Sequence, residues 1–158
     1  MSKKEITWTV ESARKANARA IAAALLTIGA DCIIYSYNGS GDDGSESTVT
    51  ALRGLSPEDE IELPTNPNVS AVREEYCTTL GRDVWKTATV TLETAMEAFG
   101  DSMVESLHDG YEDGDGGYGS VKIDAKGVVT YDHHDYIQET EDFSYVVDEN
   151  GNATCVST

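Results

Sequence analysis

The sequence predicts an α+β domain, a mainly antiparallel sheet with two or three helices packed on one face. Two stretches carry apolar residues at helical spacing. Several short runs rich in β-branched and aromatic residues are bounded by Gly, Asp and Pro clusters. These runs follow one another without the intervening helices that a parallel sheet needs.

The first helix is read over Glu11 to Ile28. Ala13, Ala16, Ala20, Ala23, Ala24, Leu25 and Ile28 give it an apolar face, Arg14, Lys15 and Arg19 sit largely on the other side, and Gly29 is a natural stop. A strand follows from Asp31 to Asn38. The turn Gly39-Ser-Gly-Asp-Asp-Gly44 and a returning strand from Glu46 to Leu52 complete a hairpin with an acidic tip. All three prolines (Pro57, Pro64 and Pro67) fall in residues 56–68, around a strand-like piece from Glu60 to Leu63. Val69 to Leu80 reads either way, with a third helix as one outcome, and residues 64–90 as a whole give no clear pattern. Thr91 to His108 is the second firm helix, carried by Leu92, Ala95, Met96, Phe99, Met103, Val104 and Leu107, with Gly100 a weak point in its middle. After a Gly/Asp segment from Asp109 to Gly119, the runs Ser120–Asp124 and Val128–His134 flank Ala125-Lys-Gly127 as a tight hairpin. Ile137 to Val147 adds a further strand.

The length fits one domain, 1–158, with a frayed end at 1–10 and a frayed or weakly paired one at 148–158, and supports a core without a disulfide or metal staple. Cys32, Cys77 and Cys155 are odd in number and form no Cys-x-x-Cys, which fits reduced thiols. Neither a leader sequence nor a membrane span is legible, so a cytoplasmic setting is expected.

Charge is the strongest compositional feature. The net charge is −18, unevenly placed: residues 1–20 carry net +3 and the remainder net −21. Such a body repels nucleic acid and anionic membrane, because phosphate binding requires Lys and Arg to displace counterions. It attracts basic surfaces, including those of proteins that handle nucleic acid. The charge also lies well beyond the magnitude of about 2–8 that serves solubility in a small domain.

Hard cations want several oxygens on a tightly turning backbone, so the carboxylates Asp109, Glu112, Asp113 and Asp115 raise calcium as an alternative. The spacing departs from an EF-hand. Begun at Asp109, the loop has Tyr111 third and Ser120 twelfth; begun at Asp113, it has Tyr118 at the glycine position, although Asp124 falls twelfth. The metal alternative is therefore Asp109, Asp113, Asp115 and Asp124, beside a plain reading as a solvated turn with no cofactor. Asn38-Gly-Ser-Gly-Asp-Asp-Gly-Ser-Glu46 lacks the lysine of a phosphate loop and reads as a hairpin tip or an acidic contact loop. In Tyr131-Asp-His-His-Asp-Tyr136, strand alternation puts His133 and Asp135 on one face and His134 on the other, and the histidines read as exposed or salt-bridged. No nucleophile elbow or catalytic cysteine context is present, and an enzyme is not expected.

The two Gly/Asp segments, Tyr37-Asn-Gly-Ser-Gly-Asp-Asp-Gly44 and His108-Asp-Gly-Tyr-Glu-Asp-Gly-Asp-Gly-Gly-Tyr-Gly119, with the hairpin Val121 to Asp132 behind them, resemble a family of short uncharacterised proteins from bacteria, plasmids and phages. The likeness covers residues 12–147; Tyr111 stands where that family has tryptophan, and Asp113-Gly-Asp115 is one step out of its register. The resemblance implies an α+β fold and a mobile-element setting, without an activity. The charge points to an acidic protein-binding inhibitor with the logic of phage anti-restriction and anti-CRISPR proteins. It would hold a basic host protein that handles nucleic acid through Asp42, Asp43, Glu46, Asp109, Glu112, Asp113 and Asp115, with no direct contact to nucleic acid or membrane. A housekeeping acidic protein is the plain alternative, and the oligomeric state is open.

Overall fold

Helix α1 spans Val10–Ile28 in the computed structural model, which describes residues 8–40, 44–54, 56–108, 116–135 and 141–156. Thr9 starts it with a reciprocal cap: its Oγ1 accepts from the Ser12 amide (3.0 Å) and its own amide donates to Ser12 Oγ (2.8 Å). Gly29 ends it in the left-handed region (φ 71°), which a side chain would resist, and the Ala30 amide closes the last turn on the Leu25 carbonyl. The buried face is Ala13, Ala18, Ile21, Ala22, Ala24 and Leu25, whereas Ala23 faces solvent.

Strands β1 (Cys32–Ser40) and β2 (Gly44–Leu52) form the expected hairpin, and a short 3-10 turn at Pro57–Asp59 leads into β3 (Glu60–Ile61). Strands β4 (Val69–Cys77) and β5 (Arg82–Val90) follow, then α2 (Leu92–His108). The chain closes with β6 (Gly117–Asp124), β7 (Val129–Asp135), β8 (Glu141–Val147) and β9 (Ala153–Val156). Among the described residues, seven strands make one sheet in the order β3-β2-β1-β6-β7-β8-β9, antiparallel throughout, and β4 and β5 pair with each other in a second sheet. The α+β class with a mainly antiparallel sheet is thus the observed one.

Two readings need correction. Residues 69–80 form no third helix. Val69–Cys77 is a strand that runs in register with β5 from Val69↔Val90 to Cys77↔Arg82. Arg73, Glu74 and Glu75 are good helix formers, but here Glu75 pairs with Arg73 (2.6 Å) and across the ladder with Lys86 (3.5 Å). Of the two readings of the tail, frayed or weakly paired, residues Ala153–Val156 take the second, as a four-residue edge strand on β8. Finally, β6 begins at Gly117 rather than Ser120, so the last glycines of the second Gly/Asp segment belong to the sheet.

The core lies between the sheet and the two helices. Period-two alternation aims one side of each central strand inward. Ile33, Ile123 and Val129 form one buried row across β1, β6 and β7, and Tyr35, Val121 and Tyr131 form the next. Leu25 and Ile21 of α1 and Met96, Phe99 and Met103 of α2 pack on these rows. Each such side chain contributes about 1.5–3 kcal/mol when fully buried. Gly100 is where α2 meets the sheet, since a Cβ there would run into the Tyr35 ring. The β4–β5 hairpin docks on the helices through Asn17, whose side-chain amide imitates a strand: Nδ2 donates to the Val72 carbonyl (2.8 Å) and Oδ1 accepts from the Val72 amide (2.7 Å).

Candidate functional site

The third inward row of the sheet is Tyr37, Gly119, His133 and Phe143 on β1, β6, β7 and β8. The Tyr37 and His133 rings lean over Gly119 and stack, with centroids 5.7 Å apart and planes 15° off parallel. Glycine is required beneath them. A Cβ on Gly119 would fall onto the Asp132 carbonyl and 2.6 Å from the Tyr37 hydroxyl, and one on Gly117 would lie 2.8 Å from the His134 carbonyl and 3.0 Å from the His133 ring. The Tyr37 hydroxyl is hydrogen-bonded to the Tyr131 hydroxyl (2.8 Å) and to His133 Nδ1, and His133 Nε2 meets Asp135 Oδ1 at 2.6 Å. His133 has no exposed surface. With both ring nitrogens engaged, its imidazole has no lone pair directed at a metal. The chain Asp135–His133–Tyr37–Tyr131 therefore ties β1 to β7 across β6. Strand alternation correctly placed His133 and Asp135 on one face, and of the two readings, exposed or salt-bridged, His133 takes the paired one, with its ring buried.

This polar row sits at one end of the sheet, where the acidic segments leave it. Gly39 pairs with Ser45 on one side and Gly117 on the other; Gly117 pairs with Asp135, and Asp135 with Glu141. The strand ends next to 41–43 and 136–140, and the β6 start that follows 109–115, are thus on adjacent strands, whereas His108 before that segment ends α2. Asp42, Asp43, Asp109, Glu112, Asp113 and Asp115 lie outside the described residues. Glu46 is exposed on β2, opposite Asn38. The sequence reading passed over the acidic run Glu139-Thr-Glu-Asp142, whose last two residues start β8 beside His134 and Asp135. Three acids in four residues were a visible signal, but their neighbourhood depends on strand order.

Asp124 stands apart. It pairs with Cys32 at the far end of β6, about 24 Å from Gly117 at strand rise. Its Oδ1 accepts from the Lys126 (2.9 Å) and Val128 (3.0 Å) amides, which shapes the β6–β7 turn. The other three residues of the cation alternative, Asp109, Asp113 and Asp115, lie outside the described residues. Among the described residues no group of three or more His, Cys, Asp and Glu side chains is placed to hold a metal ion.

The outward side of the same strands is polar and shallow. Ser36, Asn38, Tyr118, Ser120, Asp132 and His134 line a depression of about 400 Å³. Tyr118 stacks on His134 with centroids 4.7 Å apart, and Ser144 Oγ donates to Asp132 (2.7 Å). A larger cleft of about 480 Å³ lies between α1, α2 and the β4–β5 hairpin, with half-buried Trp85 on its wall. The three cysteines are free thiols, and burial pushes the Cys32 thiol up, away from its reactive form. No described helix is long and apolar enough to cross a membrane.

No curated protein and no solved structure gives a significant match to this chain. The sequence profile of a family of unknown function, DUF6878, matches residues 13–147, which runs from the first turn of α1 to the end of β8 and takes in the whole sheet except β9. The chain belongs to that family.

Proposed function

We propose that the protein is an acidic binding protein that occupies a basic surface of a nucleic-acid-handling protein and inhibits it. The observation that carries this reading is the register Gly39↔Gly117. It sets the bases of two acidic segments on neighbouring strands, about 4.8 Å apart. Spaced carboxylates on a rigid sheet end can take the places of phosphates on a basic surface, and a net charge of −18 steers such a partner from a distance. The polar tie through Tyr37, His133 and Asp135 supports the reading by holding three strand ends in fixed relation. Origin in a phage or other mobile element, with a host defence protein as the target, is the setting this logic suits, as for anti-restriction and anti-CRISPR inhibitors.

The test is capture from a bacterial lysate at low salt with a salt-gradient elution, in chelator and in millimolar calcium. The expected result is one nucleic-acid-binding protein, released by moderate salt and competed by DNA. A variant with Asp42, Asp43, Asp109, Asp113 and Asp115 changed to Asn, and Glu46 and Glu112 to Gln, should lose it. Full retention by that variant would sink the proposal. Capture that requires calcium would move the function to cation binding.

A further inference from the structure

Four of the eleven Lys and Arg residues line one small cavity at the end of the sheet opposite the acidic segments. Arg14, Lys15 and Arg19 come from α1 and Lys126 from the β6–β7 turn. The β8–β9 turn closes the cavity, whose volume is about 180 Å³. Among the described residues none of the four makes an ion pair, in a chain with 29 acids available to supply one. Two carboxylates also line the cavity, Asp148 and Glu149. Asp148 is already occupied, since its Oδ1 accepts from the Asn150 (2.9 Å) and Asn152 (3.0 Å) amides of its own turn.

Arg14 is held in place. Its Nη1 donates to the Gly151 carbonyl at 2.7 Å, and that turn is pressed onto α1 so closely that a Cβ on Gly151 would lie 2.5 Å from the Glu11 carbonyl. Its Nε is buried without a hydrogen-bond acceptor. Burial also lowers the Arg14 pKa against the opposing effect of Glu11, so the charged form is incompletely compensated.

We propose that this cavity binds a phosphate group, either free phosphate or the phosphate end of a small metabolite such as a nucleotide. A guanidinium fork and three flexible ammonium or guanidinium groups suit a compact dianion. The cavity matches one phosphate group better than a drug-sized ligand, which needs about 300 Å³ or more. A polymer of phosphates is disfavoured because the surrounding body is strongly negative. The same background field keeps the affinity modest, with a dissociation constant on the order of 1 mM for phosphate alone.

Amide NMR of the intact chain tests this, with potassium phosphate, ADP and potassium chloride titrated at matched ionic strength. The expected result is a saturable shift at Lys15, Arg19, Lys126 and Gly151 with phosphate and not with chloride. Lys15→Gln with Lys126→Gln should weaken it about tenfold, and Arg82→Gln with Lys86→Gln on the distant hairpin should leave it unchanged. Tighter binding of ADP than of phosphate by tenfold or more assigns a nucleotide source, and equal binding assigns free phosphate. A response that fails to saturate, matches chloride or survives the Lys15/Lys126 change overturns the proposal. So does sedimentation showing a dimer that the same change abolishes, because the occupant would then be the acidic end of a second copy. The phosphate titrations do not involve the acidic segments, and the lysate capture does not involve Lys15 or Lys126, so the two proposals fail separately.

Discussion

Replacing Gly100 with Ala sets helix propensity against sterics, and the structure decides which wins. In an isolated helix the change stabilises by about 1 kcal/mol. Here the new Cβ would land against Cγ, Cδ1 and Cδ2 of Tyr35, 2.6 Å from the last. Ordinary carbon contacts lie at about 3.5–4.0 Å, so α2 and the ring must part by about 1 Å. Tyr35 has little freedom to yield. It is 3% exposed, and its hydroxyl is hydrogen-bonded to Asp101 on the same helix. Moving α2 also loosens Met96, Phe99 and Met103, which pack on the sheet. Overpacking that shifts the backbone costs up to about 3 kcal/mol, and a clash this close sits at that upper end, which leaves a net loss of about 2 kcal/mol after the propensity gain. Urea unfolding followed by circular dichroism measures the change. The decisive control is the Tyr35→Ala background, where the ring is gone and Gly100→Ala should stabilise by about 1 kcal/mol relative to that parent. Stabilisation by Gly100→Ala in the otherwise unchanged protein would refute the argument, as would the same sign in both backgrounds.

Three further outcomes follow from named contacts. Asn17→Ala removes both bonds to Val72 and should cost about 1–3 kcal/mol, with hydrogen-exchange protection falling first in residues 69–90 while β6 and β7 keep theirs. Tyr37→Phe deletes a buried hydroxyl bonded to Tyr131 and His133 and should cost about 1–3 kcal/mol in the same unfolding assay; an unchanged midpoint would show that the tie between β1 and β7 is dispensable. Backbone bonds, the largest from Asn152, hold the Asp148 carboxyl below its ordinary value of 3.8. A depressed carboxylate pKa stabilises the fold fully above the unfolded value and loses that contribution as pH falls through the folded one. Asp148→Asn should therefore flatten the stability loss below about pH 4, read from melting temperature against pH; an identical acid limb in both proteins would contradict the assignment.

The elements legible in the sequence are those whose pattern is local. Both helices, the β1–β2 hairpin and the β6–β7 hairpin show clear periodicity and turn residues within their own span. Strand β4 was ambiguous because Arg73, Glu74 and Glu75 suit a helix, and its strand state rests on β5 and on an asparagine 55 residues away. Gly100 read as a defect in α2 because nothing local reveals the Tyr35 ring facing it. Gly117 and Gly119 read as turn residues for the same reason: the rings they accommodate come from other strands. The acidic composition of the candidate site was plain from the residues. The placing of Gly39 beside Gly117 was not, because it follows from the pairing of β1 with β6, a contact invisible to any sequence window.

That pairing has a kinetic consequence. Among the described strands, every other partnership joins neighbours in the chain, so the β3-β2-β1 ribbon and the β6-to-β9 meander can each assemble by short-range closure. The β1–β6 ladder instead joins residues 32–39 to residues 117–124. Non-local closure of this kind is slow, because chain entropy is lost before the contacts form. The seam thus divides the sheet into two parts, and their zippering is the slow step expected from topology. Gly119 and the Tyr37 and His133 rings lie across that seam, so the residues that brace the acidic end also report when the two parts have met.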